Sequence, residues 1–259
     1  MKSLTNIGRI SFGITIAGMG LLTIYYRDFP YMLIPPKHSW IPGLVMLSSV
    51  AGALLMLAGV CIVFEKKTRS ASLLLGGALL LIFCFGFIPY QLIASPNYRH
   101  FGDWENAAKE LALASGALVI AGSYSPINEY PLIKFLSKLI PFSAIAFSLT
   151  IISFGGDHFL YAKEAADYVP SWVPNPIFWM YLTGTALAGS GLAIILKIKY
   201  GLAAALLGAM IFTWFIILHI PRIVVSPVVY LGSEIASALL ALGYGGIAFV
   251  IAGAAKKTN

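Results

Sequence analysis

The sequence predicts an all-α polytopic membrane protein, with about eight transmembrane helices arranged as two parallel four-helix repeats. Three observations predict it. Of 259 residues, 59% are hydrophobic and only 10% charged, with a mean hydropathy of +0.87; a soluble domain carries about 25% charge. Apolar runs able to cross a bilayer, which takes about 20 residues, recur along the whole chain. The second half also repeats the first at a nearly fixed offset.

The runs lie near 9–27, 42–64, 70–94, 104–122, 139–160, 176–196, 200–224 and 231–254. Lys2 and Arg9 flank the first run as in a leader peptide. Tyr25-Tyr26-Arg27 follows it rather than small residues, so it is read as a helix of the bundle. The second and sixth runs open on Trp40-Ile41-Pro42 and Trp172-Val173-Pro174. A tryptophan at a helix entry is first an interface anchor. The third run ends on Gly86-Phe87-Ile88-Pro89-Tyr90, the seventh on Leu218-His219-Ile220-Pro221-Arg222. Proline removes a backbone N–H and loosens the turn before it, leaving a carbonyl near Ile217 free. The fourth run starts with the polar stretch Trp104–Glu110 and has the least defined extent. The fifth closes on Gly155-Gly156-Asp157-His158-Phe159-Leu160-Tyr161. In the eighth, Ser233, Ser237, Ala241 and Gly245 recur every four residues, a stripe read as packing within the chain.

At an offset of 132, Trp40 meets Trp172, Pro42 meets Pro174, Gly52 meets Gly184, Gly59 meets Gly191, Gly76 meets Gly208 and Ile88-Pro89 meets Ile220-Pro221. At 131, Ser95-Pro96 meets Ser226-Pro227 and Val119–Gly122 meets Val250–Gly253. The expected units are 1–127 and 128–259. Four helices per unit is an even number, so both units share one orientation.

Eleven lysines and arginines fall in or beside the loops on the side of the termini, against five on the other side. Both termini are therefore expected to be cytoplasmic, in the plasma (inner) membrane. The net charge of +7 belongs to these loops. It predicts the lipid bilayer as partner and no nucleic acid. Cys61 and Cys84 form no CxxC and read as small buried hydrophobes.

Ionisable groups inside apolar runs are expensive and point to function. Asp157, His158, His219, Arg222 and Glu110 are the candidates, with Trp172 at the same end. Glu105 and Lys109, four apart, suit a simple i,i+4 pair. Glu110 lies on another face and reads as a site residue. His158 is either an interfacial histidine or a lining residue. His219 is read as a lining group, a packing group, or a haem or metal ligand. No HxH or HxxxH spacing supports ligation, so no metal site is expected and haem ranks below a quinone or a lipid as the ligand. Arg222 is suited to a carboxylate or an anionic headgroup. The first half carries acids on its fourth helix; the second carries histidines and an arginine on its first and third. This complementarity predicts one composite pocket at the outer side, with Glu110 near His219. No GxGxxG, P-loop, HExxH or GxSxG motif occurs in a usable context.

The run His158-Phe159, Val169–Pro174, Phe178–Gly184, Ala203-Ala204, Leu207-Gly208, Met210 and Leu218–Arg222 resembles the DoxX-like membrane proteins, as does Lys109–Leu113 in the first half. The resemblance covers nearly the whole chain as two tandem units. It implies a four-helix membrane bundle per unit. It does not imply one activity: relatives are linked to quinone-coupled sulfur oxidation as accessory subunits, to redox-stress complexes, and to receptor assembly and cargo export. A redox-complex or other membrane-protein partner is implied on the same basis. The single-unit form pairs a third-helix histidine with a fourth-helix acid; here the histidine (His219) and the acid (Glu110) sit in different halves. The expected function is an accessory or non-catalytic subunit that binds a quinone or lipid through protonatable groups beside an apolar cavity. The alternatives are an oxidoreductase with a bound cofactor and a membrane-protein assembly factor. Whether the chain is an enzyme stays open at this point.

Overall fold

The computed structural model describes residues 2–36, 41–127, 130–225 and 232–255. Trp40, Ser226 and Pro227 of the repeat comparison, and Lys37, Lys256 and Lys257 of the loop-charge count, lie outside the described residues. The chain is an integral membrane protein built of helices, with no strand among the described residues. We label the eight long helices α1 (Lys2–Tyr26), α2 (Leu44–Val63), α3 (Thr68–Ala94), α4 (Glu105–Gly122), α5 (Ile140–Leu160), α6 (Pro176–Ile195), α7 (Tyr200–Val225) and α8 (Ser233–Ala255). All but α4 are long and apolar enough to cross a bilayer. Glu105, Lys109 and Glu110 lower the hydropathy of α4, yet its stretch Ala112–Ala121 is buried. It is enclosed by its neighbours.

Each helix packs on the next in the chain, and α8 returns to pack on α1. Helices α4 and α8 also meet each other inside this ring. Gly116 of α4 faces Ile247 of α8 so closely that a Cβ would lie 2.3 Å from Ile247 Cδ1. Gly253 of α8 packs against Thr5 of α1, so the start of α1 and the end of α8 share one end of the bundle. The first turns of α4 and α8 and the last turns of α5 and α7 are at the opposite end.

Small residues set the closest crossings, because packing rather than hydrophobic drive holds helices together in lipid. Gly20 and Gly13 of α1 face Gly52 and Gly59 of α2; a Cβ on Gly59 would lie 2.5 Å from Ala17 N and Gly13 O. The α5–α6 crossing is made the same way, with Gly155 against Gly184 and Ser148 against Gly191. These partners are offset by 132 residues between α2 and α6, but by 135 between α1 and α5. Counted between the contacting glycines, the α5–α6 link is three residues shorter than the α1–α2 link: 29 from Gly155 to Gly184 against 32 from Gly20 to Gly52. Counted from these contacts, the position of α1 that lies as His158 does in α5 is Thr23, where the bare 132 offset pairs it with Tyr26. The local bonds agree: Thr23 Oγ1 donates to Met19 O (2.8 Å) and His158 Nδ1 lies 2.7 Å from Phe154 O, each four residues back.

The proline frames loosen the helix as the sequence predicts. Residues Phe83–Phe87 of α3 and Phe215–His219 of α7 form π-helical turns, closed by Ile88 N–H to Phe83 O and Ile220 N–H to Phe215 O. Each lies just before its proline, where no N–H is available to continue the i→i−4 ladder. Helix ends are satisfied by arginines. Arg9 binds the last carbonyls of α2, Ile62 O and Val63 O, and Arg69 binds Ala121 O in the last turn of α4 and Tyr124 O just beyond it, each at 2.9 Å. Both place a cation where the helix dipole is negative.

Candidate functional site

A cavity of about 800 Å³ opens at the end of the bundle away from the termini. That is within the usual 300–1,000 Å³ of a small-molecule site. Helices α5–α8 supply most of its wall; the first turns of α4 and residues His100–Asp103 border its mouth. Along α8 it is lined from Ser233 to Tyr244, about 16 Å at 1.5 Å per residue. The deep part is apolar: Ile151, Phe154, Leu187, Met210, Ile211 and Leu240. Tyr244 stacks on Phe154 (centroids 5.7 Å apart) and donates its hydroxyl to Lys109 O at 3.2 Å.

Four of the six residues singled out by sequence come together here: Asp157, His158, His219 and Arg222 all line the cavity. Arg222 is held from two sides. Its Nε donates to Glu234 Oε2 at 2.8 Å, its second nitrogen reaches Glu234 Oε1, and its guanidinium lies 4.3 Å from the ring centroid of Tyr168. The bidentate fork fixes both side chains across the α7–α8 gap. His219 belongs to the π-helical turn, and its Nδ1 is buried without a hydrogen-bond partner. Oδ1 of Asp157 is in the same condition. Lys109 and Glu105 form the expected i,i+4 pair at 2.8 Å, and both line the mouth.

The other two stand apart. Glu110 is fully buried, with both carboxyl oxygens unpartnered, and is not a lining residue. One residue past Lys109 is about 100° around the helix, so it is turned away from the face that borders the cavity. The expected meeting of Glu110 with His219 in one composite pocket is not made. Trp172 is 67% exposed on the connecting loop, outside the lining.

Glu234, Tyr168, Tyr244 and the Ser233-Ser237-Ala241 face were missed as site residues. The signal for the last was present, since a stripe of small residues can line a void as well as a contact. Gly245, the fourth of the stripe, does pack, against Phe212. Among the described residues no three His, Cys, Asp or Glu side chains are grouped to hold a metal ion.

The two long connections pack differently. The α1–α2 connection turns inward: Met32 and Leu33 are buried in the main core and Pro35 lies against Gly86 of α3. The shorter α5–α6 connection folds on itself instead. Ala162, Ala166, Val169 and Val173 form a separate cluster with Met180 and pack against Trp179, Trp214 and Ile217. No protein-family model, curated protein or solved structure matches the chain.

Proposed function

We propose that this membrane protein is a DoxX-like tandem duplication, acting as a binding or accessory subunit that holds a lipophilic molecule, a quinone or a lipid, in the α5–α8 cavity. The cavity carries the reading: an apolar chamber about 16 Å long, with Asp157, His158, His219 and the Arg222–Glu234 pair gathered on its wall. Polar groups at membrane depth are costly unless something uses them, and two of these present unpartnered buried atoms.

Several features support the duplication. The neighbour order of the helices is unchanged when every helix is advanced by four. Left-handed backbone recurs at Gly43 and Asn175, at Glu65 and Lys197, and at Lys67 and Lys199, each pair 132 apart. The π-helical turns repeat at the same spacing. On this reading the first unit's chamber is filled by Met32 and Leu33 from its own loop, and the second unit's chamber is left for a ligand. Lysines and arginines around the terminal end support cytoplasmic termini in an inner membrane.

The test is native mass spectrometry of the protein extracted from its membrane. The wild type is expected to retain a small lipophilic molecule. Ala241→Trp, which fills the chamber, should abolish retention, and His219→Ala should weaken it. A wild type carrying only the bulk lipids that Ala241→Trp carries equally would overturn the reading.

A further inference from the structure

We propose that the occupant of this cavity is a cationic amphiphile: an apolar chain or ring system bearing a protonated amine. The inference rests on the ligand-site reading and narrows it. It starts from charge. The chain has a net charge of +7 and only ten acidic residues. Five of the ten line this one cavity, against one lysine and one arginine. With neutral histidines the wall is three charges negative inside a strongly basic protein.

Pairing sharpens the point. Lys109 is taken by Glu105, Arg222 by Glu234, and Asp103 lies 3.3 Å from His100. With His100 neutral, Asp103 stays in excess at the mouth; Asp157 and Glu164 have no ion-pair partner among the described residues. Glu164 is exposed at the rim, whereas Asp157 is a half-buried residue of the wall, with one carboxyl oxygen, Oδ1, enclosed behind it. The histidine beside it adds an acceptor. His158 Nδ1 faces Phe154 O at 2.7 Å, so in the neutral ring that nitrogen carries the proton and donates, leaving Nε2 a free acceptor. The wall thus offers a carboxylate and an imidazole lone pair, while its strong cationic donors are engaged. An ammonium group, which only donates, complements that set. A quinone carbonyl or a fatty carboxylate, which only accept, does not. Charge inside a low-dielectric cleft attracts the opposite sign more strongly than the same charge in water. The apolar depth below, from Phe154 to Ile211, receives the hydrocarbon.

The experiment compares chain-matched probes: dodecylamine, dodecanol and laurate compete for tritiated dodecylamine on the full-length protein in phosphatidylcholine nanodiscs, with empty nanodiscs as blank. The amine is expected to compete at least tenfold better than the alcohol, and laurate worst. Asp157→Asn should bring the amine close to the alcohol. Glu164→Gln, at the exposed rim where folding is not at stake, should lower the amine's advantage by about threefold, and it carries the test if Asp157→Asn fails to fold. Equal binding of amine and alcohol would overturn the cationic assignment and leave a lipophilic pocket standing. An amine preference unmoved by both substitutions would overturn its placement at this wall. No saturable binding of any probe would overturn both this inference and the ligand-site reading.

Discussion

Arg222 and Glu234 show how a single ion pair shapes the site. Their side chains are 26% and 15% exposed, between a surface pair worth at most about 1 kcal/mol and a buried one whose disruption costs about 3–5 kcal/mol. Arg222→Met or Glu234→Gln alone is expected to lower stability by about 2 kcal/mol. The double variant Arg222→Met with Glu234→Leu should lose less than either single change, read as thermal unfolding in detergent. Glu110 is the opposite case. Its carboxyl is buried and unpartnered, and a buried polar group without a hydrogen bond costs about 1–3 kcal/mol. Glu110→Met is therefore expected to raise stability by an amount in that range and to leave ligand retention unchanged. A loss of retention would return Glu110 to the site. The sequence singled out Asp157, His158, His219 and Arg222 because an ionisable side chain in an apolar run stands out without any structure. It could not place Glu110, because a single step of about 100° around a helix decides which chamber a side chain faces, and packing sets that angle. Glu234 was hidden for another reason: an acid in the first turn of a helix is ordinary, and only its partner on α7 marks it.

At the scale of elements, proline and glycine do the positioning. Pro221 follows the π-helical turn that carries His219, and Pro89 follows the equivalent turn carrying the buried Phe87. Pro221→Ala restores an N–H and tightens the turn, rotating His219 relative to the lower part of α7. Retention of the ligand is expected to fall in Pro221→Ala and to be unchanged in Pro89→Ala, compared by native mass spectrometry. The α1–α2 crossing predicts a second contrast. A Cβ on Gly59 meets backbone at 2.5 Å, whereas one on Gly189 meets nothing within 4 Å. Gly59→Ala should cost at least about 2 kcal/mol through overpacking; Gly189→Ala should be neutral or slightly stabilising in the same unfolding assay. Seven helices long and apolar enough to span were legible as apolar runs, and so were the proline-loosened turns, since a missing N–H acts locally. The shift of three residues between the α1–α5 and α2–α6 correspondences was not legible. It arises in the two connections, before the Trp-x-Pro motifs that they share, and shows only in which small residues touch.

The whole molecule is a ring of helices closed by α1 on α8, with α4 and α8 meeting inside it. That arrangement makes α4 indispensable to packing although it is the least apolar of the eight. Its position could not be read from hydropathy, which registers composition and not enclosure. The void is a whole-molecule property too. Met32 and Leu33 of the α1–α2 connection are tucked into the core, whereas the α5–α6 connection packs against Trp214, which lines the void. The most direct measurement is an electron cryo-microscopy map of the full-length protein in nanodiscs of its native lipids. An elongated density is expected between α5, α7 and α8, reaching from His158 and His219 down to Tyr244. A map in which those side chains close over a filled interior, with lipid only along the outer faces of the helices, would contradict the central claim.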